Sequence, residues 1–410
     1  MKRSLLLTIA ILVSISLTAC SQATFLRSGQ EPGPASDRVP QGMVHAPLAK
    51  SLILFIGDGM GPEIVSLAKI YADKTMETGP NLVALSNTGT MGMATTYSAN
   101  KLVTDSAAGG TALATGTKTN NGMVGVSPDG TDLGNLLEWA AHAGKSVGVI
   151  TTTSVTDATP ACFLTHIAAR AREFDIAAQI AESRATVIMG GGLAFFAPPD
   201  RGKRTDGVDL VAAARDRGFD VVFDKEGLAA AGGKRLLGLF AAEDLPYQAD
   251  RIAYETPSLP EMFERALRML TTDPDGFVLV VEGGEIDHGE HENSLARAMA
   301  EFFEFDATIG EAMDYQRSDT TLTIVVTADH DTGAPAITVT KSGYPPTEGA
   351  ADLLAPDYEY LKWISRDHTG TMVPVVARGP GEEMFTGIRD NTEINQGMVE
   401  ILGLARGAGR

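Results

Sequence analysis

Short, nearly continuous runs of valine, isoleucine and leucine recur along this chain of 410 residues. Such runs are typical of β-strands that are buried on both faces. Stretches with helical periodicity separate the runs, and this alternation predicts a three-layer α/β/α sandwich with a central, mostly parallel sheet. The predicted strands are 51–56, 147–151, 186–189, 277–281, 322–327 and 373–377, and the predicted helices are 63–75, 106–115, 132–143, 167–182, 258–272 and 295–315.

Candidate metal ligands follow four of these strands, at the edge where open α/β sheets bind ligands. They are Asp58 after the first strand, Asp157 and Thr159 after the second, Glu282 after the fourth, and Asp329 with His330 after the fifth. Asp287 and His291 are four residues apart and would share one helix face. A carboxylate and an imidazole form part of a three-ligand zinc site, although a solvated acidic helix start is the simpler interpretation.

The charge of the chain excludes one class of partner. A formal net charge of -19 and a pI of about 4.8 argue against a nucleic-acid-binding surface, which needs basic residues. The overall negative charge of the chain repels an anionic substrate, so local positive charge would have to attract it.

The first twenty residues predict a signal sequence rather than part of the fold. Two basic residues precede an apolar run over 5–17 that is too short to span a bilayer comfortably. The run ends in Leu-Thr-Ala-Cys at 17–20, which resembles the lipobox of bacterial lipoproteins; a plain secretory signal cleaved near Ala19 is the alternative. We expect an exported protein, periplasmic or at the cell surface, anchored in a membrane through lipidated Cys20.

Residues 21–48 hold Ser, Gln, Gly and Pro with little periodicity, which predicts a flexible tether. Residues 335–365 are rich in Gly, Pro, Tyr and acids and read as a small surface insertion. The only cysteines are Cys20 and Cys162, so lipidation of Cys20 would leave no intramolecular disulfide.

Six motifs together resemble the alkaline phosphatase family. They are F-I-G-D-G-M-G at 55–61, V-T-D-S-A-A-G-G-T-A at 103–112, D-A-T-P-A at 157–161, V-E-G-G-E-I-D-H-G-E-H at 281–291, T-A-D-H-D-T-G at 327–333 and H-T-G at 368–370. Each motif alone is weak, but their order and spacing along most of 50–400 are highly specific. The resemblance implies a single catalytic domain over 49–405 with the alkaline phosphatase fold.

The resemblance also implies roles for individual residues. Ser106 would be the nucleophile that is phosphorylated and then hydrolysed, Arg170 the arginine that clamps the phosphate, and Asp105 the acid that orients it. It further implies two Zn²⁺ and one Mg²⁺ per chain. The implied ligands are Asp287, His291 and His368 for the first zinc; Asp58, Asp329 and His330, with Ser106, for the second; and Asp58, Thr159 and Glu282 for magnesium.

Two neighbours of the implied magnesium and phosphate, Asp157 and His288, stand at positions that vary in the family. The pair mixes patterns from different branches, so the pH optimum cannot be inferred from either. Asp157 keeps the third metal site all-oxygen, which suits magnesium, and a histidine such as His288 can titrate near neutral pH.

The residue types suit this chemistry on physical grounds. A serine hydroxyl is a poor nucleophile until it loses its proton, and Ser106 has no G-x-S-x-G elbow around it. Metal coordination can lower the hydroxyl pKa instead. Without cations, the four carboxylates of Asp58, Glu282, Asp287 and Asp329 would repel one another and take up protons.

Simpler interpretations compete at several positions. Ser106 could be a helix N-cap, and Arg172 is an alternative to Arg170 as the phosphate clamp. A thiol at Cys162 close to a zinc site could be an adventitious ligand. We expect packing or structural roles for Met60, Cys162 and His166, exposure of His45 and His142, and solvated charge at Glu285 and Glu290.

Taken together, the sequence predicts metal-dependent hydrolysis of phosphate monoesters to an alcohol and inorganic phosphate through a phosphoserine. Related metallohydrolases that act on phosphodiesters or sulfate esters are the alternative enzymes. A phosphate- or metal-binding lipoprotein without catalysis is the alternative outside enzymes. Monoesters are favoured because the arginine and the third metal bind the additional non-bridging charge. Dimers are frequent in the family, so a homodimer is a further expectation.

Overall fold

The computed structural model describes residues 47–75, 84–87, 89–251 and 255–407, all within one compact unit. The predictions for the signal sequence, Cys20, His45 and nearly all of the tether lie outside these residues. No helix in the described part of the chain is both long and apolar enough to cross a membrane.

Each of the six predicted Val/Ile/Leu runs matches a strand of the structure, and the other strands were not predicted. They are β1 (Ser51–Gly57), β2 (Thr90–Thr95), β3 (Ser146–Ser154), β4 (Val187–Gly191), β5 (Phe219–Val222), β6 (Arg235–Leu239), β7 (Phe277–Gly283), β8 (Leu322–Thr327), β9 (Asp331–Thr332), β10 (Ala336–Ile337), β11 (Leu361–Lys362), β12 (His368–Thr369), β13 (Val373–Arg378) and β14 (Gly387–Asp390). Ten of them form one sheet in the order β14-β2-β13-β8-β1-β7-β3-β4-β6-β5. Only β13 runs antiparallel to its neighbours in this sheet.

Helices flank the sheet, which confirms the predicted α/β/α class. They are α1 (Pro62–Thr75), α2 (Ser106–Thr115), α3 (Leu136–His142), α4 (Ala158–Cys162), α5 (Glu173–Glu182), α6 (Leu193–Phe196), α7 (Leu210–Asp216), α8 (Lys225–Ala230), α9 (Gln248–Arg251), α10 (Leu259–Leu270), α11 (Glu285–His291), α12 (Leu295–Gln316) and α13 (Asn391–Ile401). Helices α3, α10 and α12 pack directly on central strands.

Two predicted helices were placed too early. The helix predicted at 132–143 begins at Leu136, because Asn135 caps it in a capping box with Glu138. The helix predicted at 167–182 begins only at Glu173, since the preceding segment forms a turn and a bridge between Val124 and Ile167.

The predicted insertion at 335–365 contains a two-stranded sheet of β10 and β11 and a 3₁₀ helix at Thr347–Leu354. Val339, Tyr344 and Ile364 are exposed there, whereas Leu353 is buried in the main hydrophobic core.

The register of the central strands places the site. Strand β1 is entirely buried, and Ile56 near its end pairs with Glu282 of β7 on one side and Thr327 of β8 on the other. Thr151 of β3 also pairs with Glu282. These parallel strands therefore reach the same level, and the residues that follow them meet at one edge of the sheet.

Candidate active site

The first ligand group follows β1 and β8 and consists of Asp58, Asp329 and His330. All three are buried. The Nε2 atom of His330 lies 3.3 Å from Asp58 Oδ1 and 3.3 Å from Asp329 Oδ2. The central strands thus bring two carboxylates and an imidazole to one point, as predicted from their positions in the sequence.

Ser106 lies against this group, with its Oγ 3.0 Å from His330 Nε2. It is the first residue of α2, a ten-residue helix that is buried along its whole length. Asp105, not Ser106, is the N-cap, because its Oδ1 accepts from the Ala108 backbone N–H at 3.0 Å. The N-cap interpretation of Ser106 is therefore wrong, and its hydroxyl is free of that capping role.

The second ligand group consists of Asp287, His291 and His368. Asp287 and His291 lie one turn apart on α11, with His291 Nε2 3.1 Å from Asp287 Oδ2. His368 Nε2 lies 3.2 Å from His291 Nε2 and 3.9 Å from Asp287 Oδ1. His368 is 77 residues beyond His291 in the chain and is positioned by β12, where it pairs with Thr332 of β9.

The third set of predicted ligands adjoins the first group. Thr159, in α4, lies with its Oγ1 3.4 Å from Asp58 Oδ2 and 3.5 Å from Asp329 Oδ2. Glu282 is fully buried at the end of β7, and its Oε2 accepts from Thr151. Its Oε1 has no hydrogen-bond partner within the described residues.

These carboxylates fit bound cations. Asp58 Oδ1 and Glu282 Oε1 are buried and accept no hydrogen bond from any residue that the structure describes, a costly arrangement unless a cation compensates them. Burial first, and then the neighbouring acids, raise the pKa of Asp58 well above its usual value. Burial and the charge of Asp287 raise the pKa of Asp329 to about 7. Without further positive charge the acids would therefore not all be ionised at neutral pH.

Arg170, unlike Arg172, contacts two acids beside Ser106. Its Nη2 lies 2.9 Å from Asp157 Oδ1 and its Nη1 3.8 Å from Asp105 Oδ2. Asp105 Oδ2 is fixed in turn by the Gly122 backbone N–H at 2.8 Å. The exposed Arg172 instead pairs with Asp175.

Two acids that we expected to be solvated are buried, which corrects the prediction. Glu285 is 3% exposed and its Oε1 lies 3.3 Å from His288 Nδ1. Glu290 is fully buried, with neither carboxylate oxygen hydrogen-bonded within the described residues. Both lie on α11, which packs against the long helix α12 and so is shielded from solvent.

His288 is held by acids from two elements. Burial lowers its pKa, but the hydrogen bond and charge of Glu285, followed by the charge of Asp244, outweigh burial and raise the pKa to about 10. This corrects the expectation that His288 titrates near neutral pH. Asp244, in the loop after β6, was missed in the sequence because no motif surrounds it.

The expected packing residues are buried. Met60 and Cys162 are inaccessible, and burial raises the pKa of the Cys162 thiol to about 12. Its Sγ lies 3.3 Å from the Ala107 carbonyl oxygen. His166 is held between the Gly125 carbonyl and Glu138, and His142 is exposed.

Comparison with known proteins identifies relatives across nearly the whole domain. The family model "Alkaline phosphatase" matches residues 49–353. The chain is 35% identical to the tissue-nonspecific alkaline phosphatase of Rattus norvegicus, covering 85% of this chain and 73% of that protein. It is 30% identical to alkaline phosphatase 3 of Bacillus subtilis, covering 97% of this chain and 96% of that protein.

Solved structures of alkaline phosphatases also match this chain. The alkaline phosphatase of Thermus thermophilus matches with a TM-score of 0.79 at 29% identity, covering 90% of this chain and 97% of that chain. The enzyme of the Antarctic bacterium TAB5 matches with a TM-score of 0.76 at 30% identity, covering 86% and 98%. A mutant of the TAB5 enzyme, with a TM-score of 0.76 at 29% identity over 88% of this chain and all of that chain, has Mg bound in its M3 site.

Proposed function

Because the chain belongs to the alkaline phosphatase family, we propose that it hydrolyses phosphate monoesters through a phosphoserine formed on Ser106. The observation that carries the proposal is the position of the Ser106 hydroxyl, 3.0 Å from His330 Nε2 and beside a buried group of metal-ligating side chains. A metal ion held by these ligands would lower the pKa of the hydroxyl and so activate it as a nucleophile.

The proposed metal complement is two Zn²⁺ and one Mg²⁺ per chain. Asp287, His291 and His368 would hold one zinc; Asp58, Asp329, His330 and Ser106 the other; and Asp58, Thr159 and Glu282 the magnesium. Mixed carboxylate and imidazole sets suit zinc, and an all-oxygen set suits magnesium. Bound ions would lower the pKa of the Ser106 hydroxyl and stabilise charge on the attacking and leaving oxygens.

Arg170 would bind the transferred phosphoryl group through two parallel N–H donors, the arrangement that arginine makes with phosphate. Asp157 and Asp105 lie against its two terminal nitrogens and would hold the guanidinium in one orientation. Because Asp105 also caps α2, the arginine and the nucleophile are positioned by the same carboxylate. The N–H groups at the start of α2 would favour an anion there.

Charge favours monoesters over the alternative substrates. A monoester dianion offers more non-bridging negative charge than a diester or a sulfate ester, and Arg170 with the cations would compensate it. The test is a comparison of kcat/KM on an aryl phosphate monoester, the matching phosphodiester and the matching sulfate ester. We expect the monoester to dominate, and a larger value for the diester or sulfate ester would contradict the proposal.

The covalent step has its own test. Acid quenching during turnover of a labelled monoester should trap phosphate on the chain, and peptide mapping should locate it at Ser106. Phosphate that is released while none is trapped under any quench condition would favour direct attack by water instead. A protein that binds phosphate yet never releases it from an ester would favour the non-catalytic alternative.

We further propose that the protein is exported and anchored through lipidated Cys20, as its L-T-A-C sequence at 17–20 suggests. C20S should move the protein from the membrane fraction to the soluble fraction and abolish labelling by a fatty-acid analogue. Continued membrane attachment of C20S would contradict the anchor. A homodimer is proposed from the family alone, and sedimentation of a soluble form lacking residues 1–20 tests it.

A further inference from the structure

A third group of possible metal ligands lies next to the catalytic cluster and has no ligand role in the proposed reaction. Asp244, Glu285 and His288 each contribute one ligand atom, and these atoms lie within 4.8 Å of one another. The group shares no residue with the other two ligand groups found in the described part of the chain.

Two of the three side chains come from one turn of α11. Glu285 and His288 are spaced i, i+3, with Glu285 Oε1 3.3 Å from His288 Nδ1. A glutamate and a histidine at this spacing project from one helix face and can share a metal ion, as in carboxylate metal centres of helical bundles. Glu285 is nearly inaccessible, and its backbone N–H donates to Thr152 Oγ1 at 3.1 Å, which fixes the start of the turn.

The third side chain comes from a different element. Asp244 lies in the loop after β6, and its Oδ1 accepts from the Ser154 backbone N–H at 2.8 Å. This hydrogen bond orients the carboxylate from outside the group, as the outer partners of metal ligands do. The three ligands therefore converge from two strand ends at the edge of the sheet where the catalytic groups also lie.

The charge of the group favours a cation. Two carboxylates face a single imidazole, and the charge of Asp157 also acts on Asp244. The His288 side chain is 37% exposed, so an ion can enter from solvent and complete its coordination with water. Three protein ligands with an open position are a common arrangement for zinc.

We propose that Asp244, Glu285 and His288 form an additional cation site that binds a first-row transition-metal ion, Zn²⁺ or Mn²⁺. An imidazole ligand beside two carboxylates suits these ions better than Ca²⁺ or Mg²⁺, which prefer oxygen ligands. The inference does not rest on the proposed reaction, because it concerns ligands outside the two catalytic groups.

The test is the number of zinc ions that each chain holds. Wild type, D244N and E243Q are dialysed against buffered free zinc from nanomolar to roughly 100 µM, and bound zinc is measured by elemental analysis. D244N is chosen because Asp244 is exposed and an asparagine can still accept from Ser154. E243Q is the matched control, since Glu243 precedes Asp244 but pairs with Lys203 outside the group.

We expect wild type and E243Q to bind one zinc equivalent per chain more than D244N. Crystals soaked in zinc should show anomalous scattering between Asp244 and His288 in wild type and not in D244N. Equal zinc binding by wild type and D244N over the whole range would overturn the proposal and leave the group as an ion pair between His288 and its acids. Because the readout is a difference between variants, it stands whether or not the monoesterase proposal holds.

Discussion

Two buried groups of carboxylates in this protein differ in whether the chain itself supplies the positive charge that faces them. On α12, Glu301 pairs with Arg251 Nη2 at 2.7 Å, Glu304 contacts the same guanidinium, and all three side chains are almost inaccessible. At the edge of the sheet, Asp58 and Glu282 are equally buried but keep oxygens without partners within the described residues. The chain supplies the counter-charge for the first group, whereas under the proposed function bound ions would supply it for the second.

Removal of metal should have the largest effect of the changes considered. It acts on the group that contains Asp58 and Glu282 and leaves the group around Arg251 untouched. Dialysis against a chelator should abolish monoester hydrolysis and lower the free energy of unfolding. The loss should be roughly 4 kcal/mol for each ion whose free concentration was about 1,000 times its Kd before dialysis. Activity assays and thermal unfolding before and after return of Zn²⁺ and Mg²⁺ measure both effects. Full activity in protein shown by elemental analysis to be metal-free would remove the distinction between the groups.

Replacement of the nucleophile should separate activity from metal binding. S106A is expected to lower kcat by at least about 10³-fold while the carboxylates and histidines keep the metals. Monoester kinetics and elemental analysis of the same sample make the comparison. S318A, which removes an exposed hydroxyl, is the matched control and should match wild type; an S106A enzyme of normal activity would refute the assignment.

Replacement of Arg251, the counter-charge of the first group, should lower stability and leave activity unchanged. R251M leaves Glu301 and Glu304 without their cation and should cost about 3–5 kcal/mol of unfolding free energy, with unchanged activity per folded molecule. R317M is the control, because the Arg317–Asp314 pair is largely exposed and such pairs contribute at most about 1 kcal/mol. Urea unfolding measures both variants, and equal losses would show that burial of the pair is not decisive.

The pH dependence of stability should differ between the metal-free and the metal-loaded protein. Burial, followed by the charge of Asp287, raises the pKa of Asp329 to about 7, whereas an unfolded aspartate titrates near 3.9. The folded chain therefore holds a proton that the unfolded chain has lost, and stability should fall as pH rises from about 4 to about 7. Urea unfolding of chelated and metal-loaded protein across this window tests it, and the loaded protein should lack the fall.

The smallest effect is expected at Cys162. C162A should lower the free energy of unfolding by about 1 kcal/mol through lost packing and leave activity and zinc content unchanged, because the inaccessible thiol lies against Ala107. Elemental analysis decides the point. Loss of a zinc equivalent would make Cys162 a ligand after all and add a thiol to the metal-dependent group.

The sequence predicted the central strands well because their burial leaves a continuous apolar pattern. Strands β1, β7 and β8 are fully buried and match the predicted runs. Four strands of the ten-stranded sheet, β2, β5, β6 and β14, were not predicted. Strand β2 contains exposed and glycine positions, and β14 is a short, largely exposed strand at the edge of the sheet, so neither leaves a continuous apolar pattern.

The sequence likewise predicted some residues of the site and missed others. The ligand groups of Asp58 and Asp287 follow directly from motifs, since strand register sets the position of each residue after its strand. The burial of Glu290 did not follow, because its acidic neighbours look like a solvated helix until α12 is seen to cover it. Asp244 has no local signal, since it meets His288 only through the fold.

One contact in the site bears on how the ions enter. The rings of His330 and His368 belong to different ligand groups, yet they stack with their centroids 3.6 Å apart. Burial, and next the neighbouring His368, lower the pKa of His330 well below its usual value. At neutral pH the imidazole of His330 is therefore uncharged, and a metal ion that binds it does not have to compete with a proton.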